Sequence, residues 1–395
     1  MSRIQTEKPD QTEASVSRLT SLGIENFRAF DRFKMGNLGR VNLLVGLNNC
    51  GKTTVLEAVN ILMAGGGIET IWTTLTRRGE NLERRPAAVN PRWEEEVDIR
   101  RLFHGHQITP GVSFSLSAGT SLGGERMSAS VQASHRQPTL PLSPPPSTEE
   151  SEPAEELPSG LSLSLEWSRG VAEGSSFEEE FEINRRGGVS FDSIRRRRPF
   201  RRSEQLPIVR FVTASSLSAS EAAMIFDQIV LTPKEELVVA ALKFIEPGIE
   251  RIASTSNGRA SSRQGGMVVR VKGNADRIPI GSMGDGIWRM LGLALAVINS
   301  EHGILLIDEI DTGLHYSVMK KMWRFLYQTS KEYNVQIFAT SHSRDCYQSL
   351  AAICQREASE DSEVTISRID RGRAEAVQYS EEEIIAAAEH DIEVR

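Results

Sequence analysis

The sequence predicts an α/β fold in which strands deliver polar loops, and three stretches predict it. Val41-Asn42-Leu43-Leu44-Val45 is a largely apolar run of strand length. It leads into Gly46-Leu47-Asn48-Asn49-Cys50-Gly51-Lys52-Thr53 and then into 54–62, where apolar residues recur at helical spacing. Ile304-Leu305-Leu306-Ile307 is a second apolar run, ending in Asp308-Glu309. Val335-Gln336-Ile337-Phe338-Ala339 is a third, ending in Thr340-Ser341-His342-Ser343.

Strand, glycine-bounded loop and helix, in that order, are the context that G-x-x-x-x-G-K-[ST] requires. A loop of backbone N–H groups ending at a helix N-terminus cradles polyphosphate oxygens. Gly46, Asn48, Asn49, Cys50, Gly51, Lys52, Thr53 and Thr54 are therefore candidate nucleotide-binding residues. Lys52 would reach the β and γ phosphates, and the Thr53 hydroxyl would ligate Mg²⁺. The bland alternative is a turn rich in Gly and Asn. Cys50 admits two readings, a redox-sensitive thiol in the loop or a small residue at a variable loop position.

Composition sets bounds on the rest. The chain has 395 residues, 39% hydrophobic and 25% charged, which is ordinary for a soluble globular protein of two to three domains. A net charge of −7 makes the whole chain no basic nucleic-acid binder, so any such surface must be local. Cys50, Cys346 and Cys354 lack metal-ligand spacing and are too few for a disulfide scaffold, which favours a reducing cytosol. Residues 1–20 are polar, read as a disordered tail and do not resemble a signal peptide. No apolar run approaches the roughly 18 residues of a membrane span. A soluble, cytoplasmic protein is expected.

The remaining segments follow in order. Short alternations from Leu22 to Met35 suggest a meander of strands, and a helix is expected at about 69–77. The composition changes over 78–206, where Val112-Ser113-Phe114-Ser115-Leu116 and Leu161-Ser162-Leu163-Ser164-Leu165 alternate with period two. Phe177, Phe181 and Ile183 suit a third strand. Between the first two, at about 137–160, lie seven of the sixteen prolines with serines and glutamates, a composition expected to stay disordered. Next come eight Arg against one Asp between Arg185 and Arg202, including Arg195, Arg196, Arg197, Arg198, Arg201 and Arg202. They read either as a phosphate-backbone contact for DNA or RNA, or as a solvated loop balanced by nearby acidic runs. A core strand is expected at 207–212, then helices at 218–229 and 233–245 with Ser218 and Thr232 as caps, and a strand at 267–271.

Two further features carry chemistry. Ser282-Met283-Gly284-Asp285-Gly286 precedes a long amphipathic helix, so it is either a second anion site or an ordinary Ser/Gly cap. Asp308-Glu309 would stand at the C-terminal end of a buried strand, where ligands of open α/β sheets bind. There Asp308 would hold Mg²⁺ and Glu309 would orient and deprotonate an attacking water. His342 would sense or polarise the γ-phosphate, whereas His104 and His106 have no such context and read as surface or core residues.

The order of phosphate loop, S-x-G-x-G, apolar-Asp-Glu and Ser-His resembles the ABC-type ATPase head of the SMC, RecF and OLD families, a P-loop NTPase fold. Ile24-Glu25-Asn26-Phe27-Arg28-Ala29-Phe30 is similar to the I-x-N-F-R-x-F entry strand of that group, and Glu309-Ile310-Asp311-Thr312-Gly313-Leu314-His315 to its E-x-x-x-G-L-H stretch. The resemblance implies a split head over 21–77 and 207–356, with a β-rich arm at 78–206 and an extension at 357–395. It implies ATP and Mg²⁺ as cofactors and a head-to-tail homodimer or higher oligomer. In that dimer Ser282, Gly284, Asp285 and Gly286 of one chain would complete the site of the other. Arg28 is expected near the nucleotide and Gln107 as the glutamine that senses it. The chain departs from the LSGGQ signature of transporters and lacks sustained heptads for coiled-coil arms. About fifty residues follow His342, too few for the TOPRIM nuclease domain of OLD proteins. The chain therefore resembles short ATPases paired with a separate nuclease or effector in two-gene phage-defence systems. A RecF-like DNA repair clamp and a non-hydrolysing ATP-bound scaffold are the alternatives.

Overall fold

The structure, a computed structural model, describes residues 18–82, 95–121, 123–133, 157, 160–170, 176–195, 206–215, 217–255, 266–357, 363–390 and 392. With strands and helices numbered along the chain, one large sheet contains β3 (Val41–Val45), β11 (Val209–Val212), β15 (Ile304–Ile307), β16 (Gln336–Thr340), β17 (Val364–Arg368) and β18 (Val377–Tyr379). Its order is β11-β15-β16-β3-β17-β18, and all neighbours are parallel except β17 and β18. A second six-stranded sheet, antiparallel, has the order β2-β1-β6-β7-β8-β9. It is built from β1 (Leu19–Phe27), β2 (Phe30–Met35), β6 (Ser113–Thr120), β7 (Gly123–Ala133), β8 (Leu161–Arg169) and β9 (Ser176–Ile183).

The helix after the phosphate loop, α1 (Lys52–Met63), lies between these two sheets. It packs on β6 and β7 on one side and on β11, β15 and β16 on the other. Residues 54–63 are all buried, so the helix needs apolar surface nearly all round. The parallel strands divide their side chains in the same way. Leu44, Ile304, Leu306 and Phe338 join the core around α1, while Leu43, Leu305, Ile307 and Ile337 join the core on the opposite face. Strands buried on both faces need apolar residues at every position, which is why VNLLV and ILLI show no alternation.

The opposite face is covered by α4 (Ala219–Asp227), α6 (Asp285–Ile298), α7 (Tyr316–Glu332) and α8 (Arg344–Glu357), with α5 (Pro233–Leu242) packed on α6. Ser218 caps α4 through a full capping box with Glu221. Thr232 is the N-cap residue of α5, but its hydroxyl turns back to the Ile229 carbonyl, and Pro233 opens the helix instead. Helices α2 (Ile68–Arg77), α3 (Phe191–Arg195) and α9 (Glu381–Glu389) complete the set. Two small sheets lie beside them, β4 (Asn81–Leu82) with β5 (Glu96–Asp98) and β10 (Gly188–Ser190), and β12 (Ile249–Thr255) with β13 (Gly266–Val271) and β14 (Ile278–Pro279).

Three expected boundaries change. Strand β1 begins at Leu19, so residues 19–20 belong to the sheet and only 1–17 of the expected tail lie outside the described residues. The strands expected as a separate arm continue the sheet of β1 and β2, because β6 pairs with β1 from Leu19↔Thr120 to Glu25↔Ser115. Most of the expected disordered insertion lies outside the described residues, although Leu157 donates its N–H to the Arg185 carbonyl at 2.8 Å. Within the expected C-terminal extension one segment joins the large sheet. Strand β17 occupies a sheet position beside β3, paired from Val364↔Val41 to Arg368↔Val45. Its Thr365 and Ser367 are both buried.

Asn42 accounts for that. Its side chain is fully buried in β3 and accepts from the Gly39 N–H at 2.9 Å and the Thr365 hydroxyl at 2.8 Å. Its amide donates to the Gly39 carbonyl at 2.9 Å and the Ile337 carbonyl at 3.1 Å. One amide thus joins three adjacent strands. Asn42→Ala leaves buried donors and acceptors unpaired and should destabilise the fold by about 2–4 kcal/mol, read as a lowered melting temperature. An unchanged melt would show that the 363–390 segment is held by apolar packing alone.

Candidate functional site

The site forms where β3, β11, β15 and β16 end on the same side of the parallel sheet, the crevice expected of an open α/β sheet. After β3, Gly46 and Gly51 adopt φ of +145° and +107°, and Asn49 also has a positive φ of 59°. Gly51 has a second reason to be glycine, because a Cβ there would run into the Phe30 ring. Lys52 folds back on the loop, its ammonium 2.8 Å from the Gly46 carbonyl and 2.7 Å from the Leu47 carbonyl. Cys50 is buried, with its sulfur 4.0 Å from the Lys52 nitrogen. Asn48 is exposed, and Thr54 is buried in the first turn of α1.

Thr53 meets the acid pair directly. Its hydroxyl donates to the Asp308 carboxylate, 3.1 Å from each oxygen. The Thr340 hydroxyl donates to the same carboxylate at 2.7 Å and accepts the Glu309 N–H at 2.8 Å. Glu309 is exposed and has a left-handed backbone, φ +46°, which few residues other than Gly, Asn and Asp adopt without support. Its carboxylate accepts from the Thr312 hydroxyl at 3.2 Å. Phosphate loop and acid pair are therefore in contact. Ser341 is fully buried and His342 is exposed just beyond it.

Thr53 and Asp308 suit a Mg²⁺ ion by their chemistry. Both present hard oxygen donors, in contact with each other, and Mg²⁺ is ordinarily held by one or two carboxylates together with substrate phosphates. No cluster of three or more His, Cys, Asp or Glu that could hold a metal occurs among the described residues, so the substrate would have to supply the remaining ligands.

Beside the loop opens a cleft of about 650 Å³ lined by Asn49, Cys50, Thr54, Arg28, His104 and Arg371, among others. Arg28 stands in the turn between β1 and β2 and is buried. It forms a fork on Glu80 at 2.8 and 2.9 Å and an ion pair with Glu57 at 3.0 Å, while Arg78 meets Glu57 at 2.6 Å. Arg28 thus lines the cleft, but its charge is already shared between two carboxylates. His104 and His106, read from sequence as surface or core residues, also line the cleft, and the His104 Nδ1 lies 2.9 Å from the Arg28 carbonyl. A lone H-G-H carries no sequence signal, since only the fold brings that turn to the loop. Gln107 is exposed at the end of the same turn and is not among the residues lining the cleft.

The signature segment lies elsewhere. Ser282 sits in a 3₁₀ turn, Ile280–Met283, with its hydroxyl on the Pro279 carbonyl at 2.7 Å, and Gly284, at φ +97°, is the N-cap residue of α6. Asp285 begins the helix. None of these residues lines the cleft beside the phosphate loop. Of the arginine run, Arg196, Arg197, Arg198, Arg201 and Arg202 lie outside the described residues, as does the side chain of Arg195.

Arg289 was not singled out by the sequence reading. It stands in the second turn of α6, is 2% exposed and binds the backbone of both acidic residues. Burial pushes its pKa down to about 10, opposed by the nearby carboxylates of Asp311, Asp308 and Glu309, so it remains a cation at neutral pH.

Residues 129–345, more than half of the chain, match the family described as "AAA domain, putative AbiEii toxin, Type IV TA system", and residues 18–83 match "AAA ATPase domain". A curated relative, the "ATP/GTP phosphatase" of Helicobacter pylori, is 21% identical over 349 residues, covering 83% of this chain and 86% of that one. Among solved structures, the SMC head domain from Thermotoga maritima is similar at 13% identity and a TM-score of 0.38, covering 92% of this chain and 98% of that one. The Smc head domain from Pyrococcus furiosus, with an extended coiled coil and bound to the C-terminal domain of ScpA, is similar at 11% identity and a TM-score of 0.47. It covers 95% of this chain and 100% of that one.

The geometry gives Thr340 a part that its position at a strand end did not announce. Thr340→Val removes the hydroxyl that orients the Asp308 carboxylate and holds the Glu309 N–H. Loss of one to two kcal/mol of positioning should lower nucleotide hydrolysis about ten-fold, with nucleotide affinity within about three-fold of wild type. Steady-state phosphate release and equilibrium binding of a fluorescent nucleotide separate the two effects.

Proposed function

The chain belongs to the AAA-domain family matched over residues 129–345 and is an ATPase, and from that premise we propose that it is an ATP-driven switch that closes head to tail with a second copy. The observation that carries this reading is the contact of the Thr53 hydroxyl with the Asp308 carboxylate, with Glu309 next in the chain. That contact sets the end of the phosphate loop against the acid pair, which supports Asp308 as the metal-binding carboxylate and Glu309 as the general base.

In this reading Lys52 leaves the Gly46 and Leu47 carbonyls for the β and γ phosphates of ATP. Thr53 and Asp308 hold Mg²⁺, which supplies charge neutralisation to the phosphates when bound. Glu309 orients the attacking water and takes its proton. His342, exposed at the end of β16, contacts the γ-phosphate. The site is incomplete in one copy. Ser282, Gly284, Asp285 and Gly286 stand at the start of α6 away from the cleft, and a second copy would bring its own set to cover the nucleotide. Exposed apolar side chains near both parts support a covering partner, since Leu47 in the phosphate loop is 80% exposed and Tyr316, shortly after the acid pair, 63% exposed.

Closure and reopening would gate an effector protein or DNA. The resemblance to ATPases of two-gene phage-defence systems, and a family described by a putative toxin, support an effector as the partner and defence as the setting. No helix among the described residues is long and apolar enough to cross a membrane.

The test compares the solution mass of wild type and Glu309→Gln, each with and without ATP and Mg²⁺, with phosphate release recorded in parallel. Glu309→Gln should bind ATP, release phosphate at least about 100-fold more slowly and accumulate as a larger assembly. A variant that binds ATP but keeps the mass of a single chain would overturn the head-to-tail reading while leaving the ATPase intact.

A further inference from the structure

We propose that Arg289 is a positioning residue for hydrolysis, linking the helix that carries the signature to the backbone that carries Asp308 and Glu309. Its guanidinium is buried, at 2% exposure, and one Nη donates to the Asp308 carbonyl at 2.9 Å and the Glu309 carbonyl at 2.8 Å. The other Nη donates to the Thr213 carbonyl, just beyond the end of β11. One side chain therefore braces the ends of two neighbouring parallel strands from a helix that begins at Asp285.

The choice of acceptors indicates the role. A buried arginine ordinarily takes a carboxylate, because desolvating an unpaired charge is costly. Arg289 instead spends its Nη donors on main-chain carbonyls, with Asp311 the leading carboxylate in its electrostatic surroundings. Its Nε and the Asp311 Oδ1 are both buried without a hydrogen-bond partner among the described residues. Neutralising a charge would have used those atoms first. The arrangement fixes a backbone instead, the one in which Glu309 holds φ +46°. Glu309 is then set from two sides, by Thr340 on its N–H and by Arg289 on its carbonyl.

The same helix also touches the segment after the acid pair. A Cβ at Gly286 would stand 3.0 Å from the Gly313 carbonyl oxygen, so the first turn of α6 abuts the 310–313 loop while the second turn grips 308–309. A shift of α6 cannot leave the acid pair in place. In the head-to-tail reading, on which this coupling rests, the start of α6 touches the nucleotide of the other copy. Arg289 then conveys that contact to the base of its own site. The positioning role does not need the second copy.

The test uses Arg289→Lys in the full chain, which keeps the charge but loses the planar fork. Melting, equilibrium ATP affinity, kcat, KM and ATP-dependent mass are measured, the last in the Glu309→Gln background. The variant should bind ATP within about three-fold of wild type and assemble with it, while kcat falls about ten- to hundred-fold and KM stays within about three-fold. A folded variant with wild-type kcat, or one whose loss lies wholly in KM, overturns the proposal. If kcat falls while the Glu309→Gln chain binds ATP and never changes mass with it, the head-to-tail reading fails and the positioning role stands. Should Arg289→Lys not fold, hydrogen exchange on the unmutated chain decides, at concentrations where it remains a single copy. ATP with Mg²⁺ should slow the amides of 286–290 together with those of 308–312, and protection confined to 308–312 overturns the link.

Discussion

The carboxylate of Asp308 is the point on which the rest of the site depends. It accepts from Thr53 on the phosphate loop and from Thr340 at the end of β16. Thr53 stands in the first turn of α1, after the loop that follows β3, and β3 is the neighbour of β16 in the sheet although the two hydroxyls are nearly three hundred residues apart in sequence. The contact exists because β3, β15 and β16 are parallel and in register, so that their polar ends coincide.

That register is secured from within the sheet rather than at the site. The Asn42 side chain reaches β16 through the Ile337 carbonyl and β17 through Thr365. A buried amide with both donors and acceptor satisfied tolerates little displacement, because a slip of one residue would strand polar atoms in the core. On the α1 side, the helix is enclosed by two sheets and has no exposed face along 54–63 on which to shift. The phosphate loop begins and ends on these two rigid elements. Its glycines supply the backbone angles, and its neighbours supply the stiffness.

Arg289 and Glu309 illustrate a different constraint. Glu309 is exposed, yet its backbone takes a left-handed conformation that a glutamate would not choose alone. The hydrogen bonds from Thr340 and Arg289 over-determine that conformation, one on each side of the residue. Local strain at Glu309 is thus borne by side chains on two other elements, β16 and α6.

The sequence by itself determined the chemistry-bearing elements, because each of them is local. The phosphate loop, the apolar run ending in Asp308-Glu309 and the strand ending in Ser341-His342 are written in consecutive residues, and fully buried strands and glycine turns leave a pattern that needs no partner to read. The tertiary structure alone decided what those elements touch. The serine-rich alternation of β6 and β8 was legible as strand, but whether they formed an arm or extended the sheet of β1 depended on pairing across about ninety residues. The strand β17 was not singled out in the sequence, and its polar Thr365 and Ser367 are buried beside Asn42 of β3. The roles of His104, Thr340 and Arg289 were likewise invisible, since a side chain that acts by holding another residue's backbone has no motif of its own. Its partner is a carbonyl, and every residue has one.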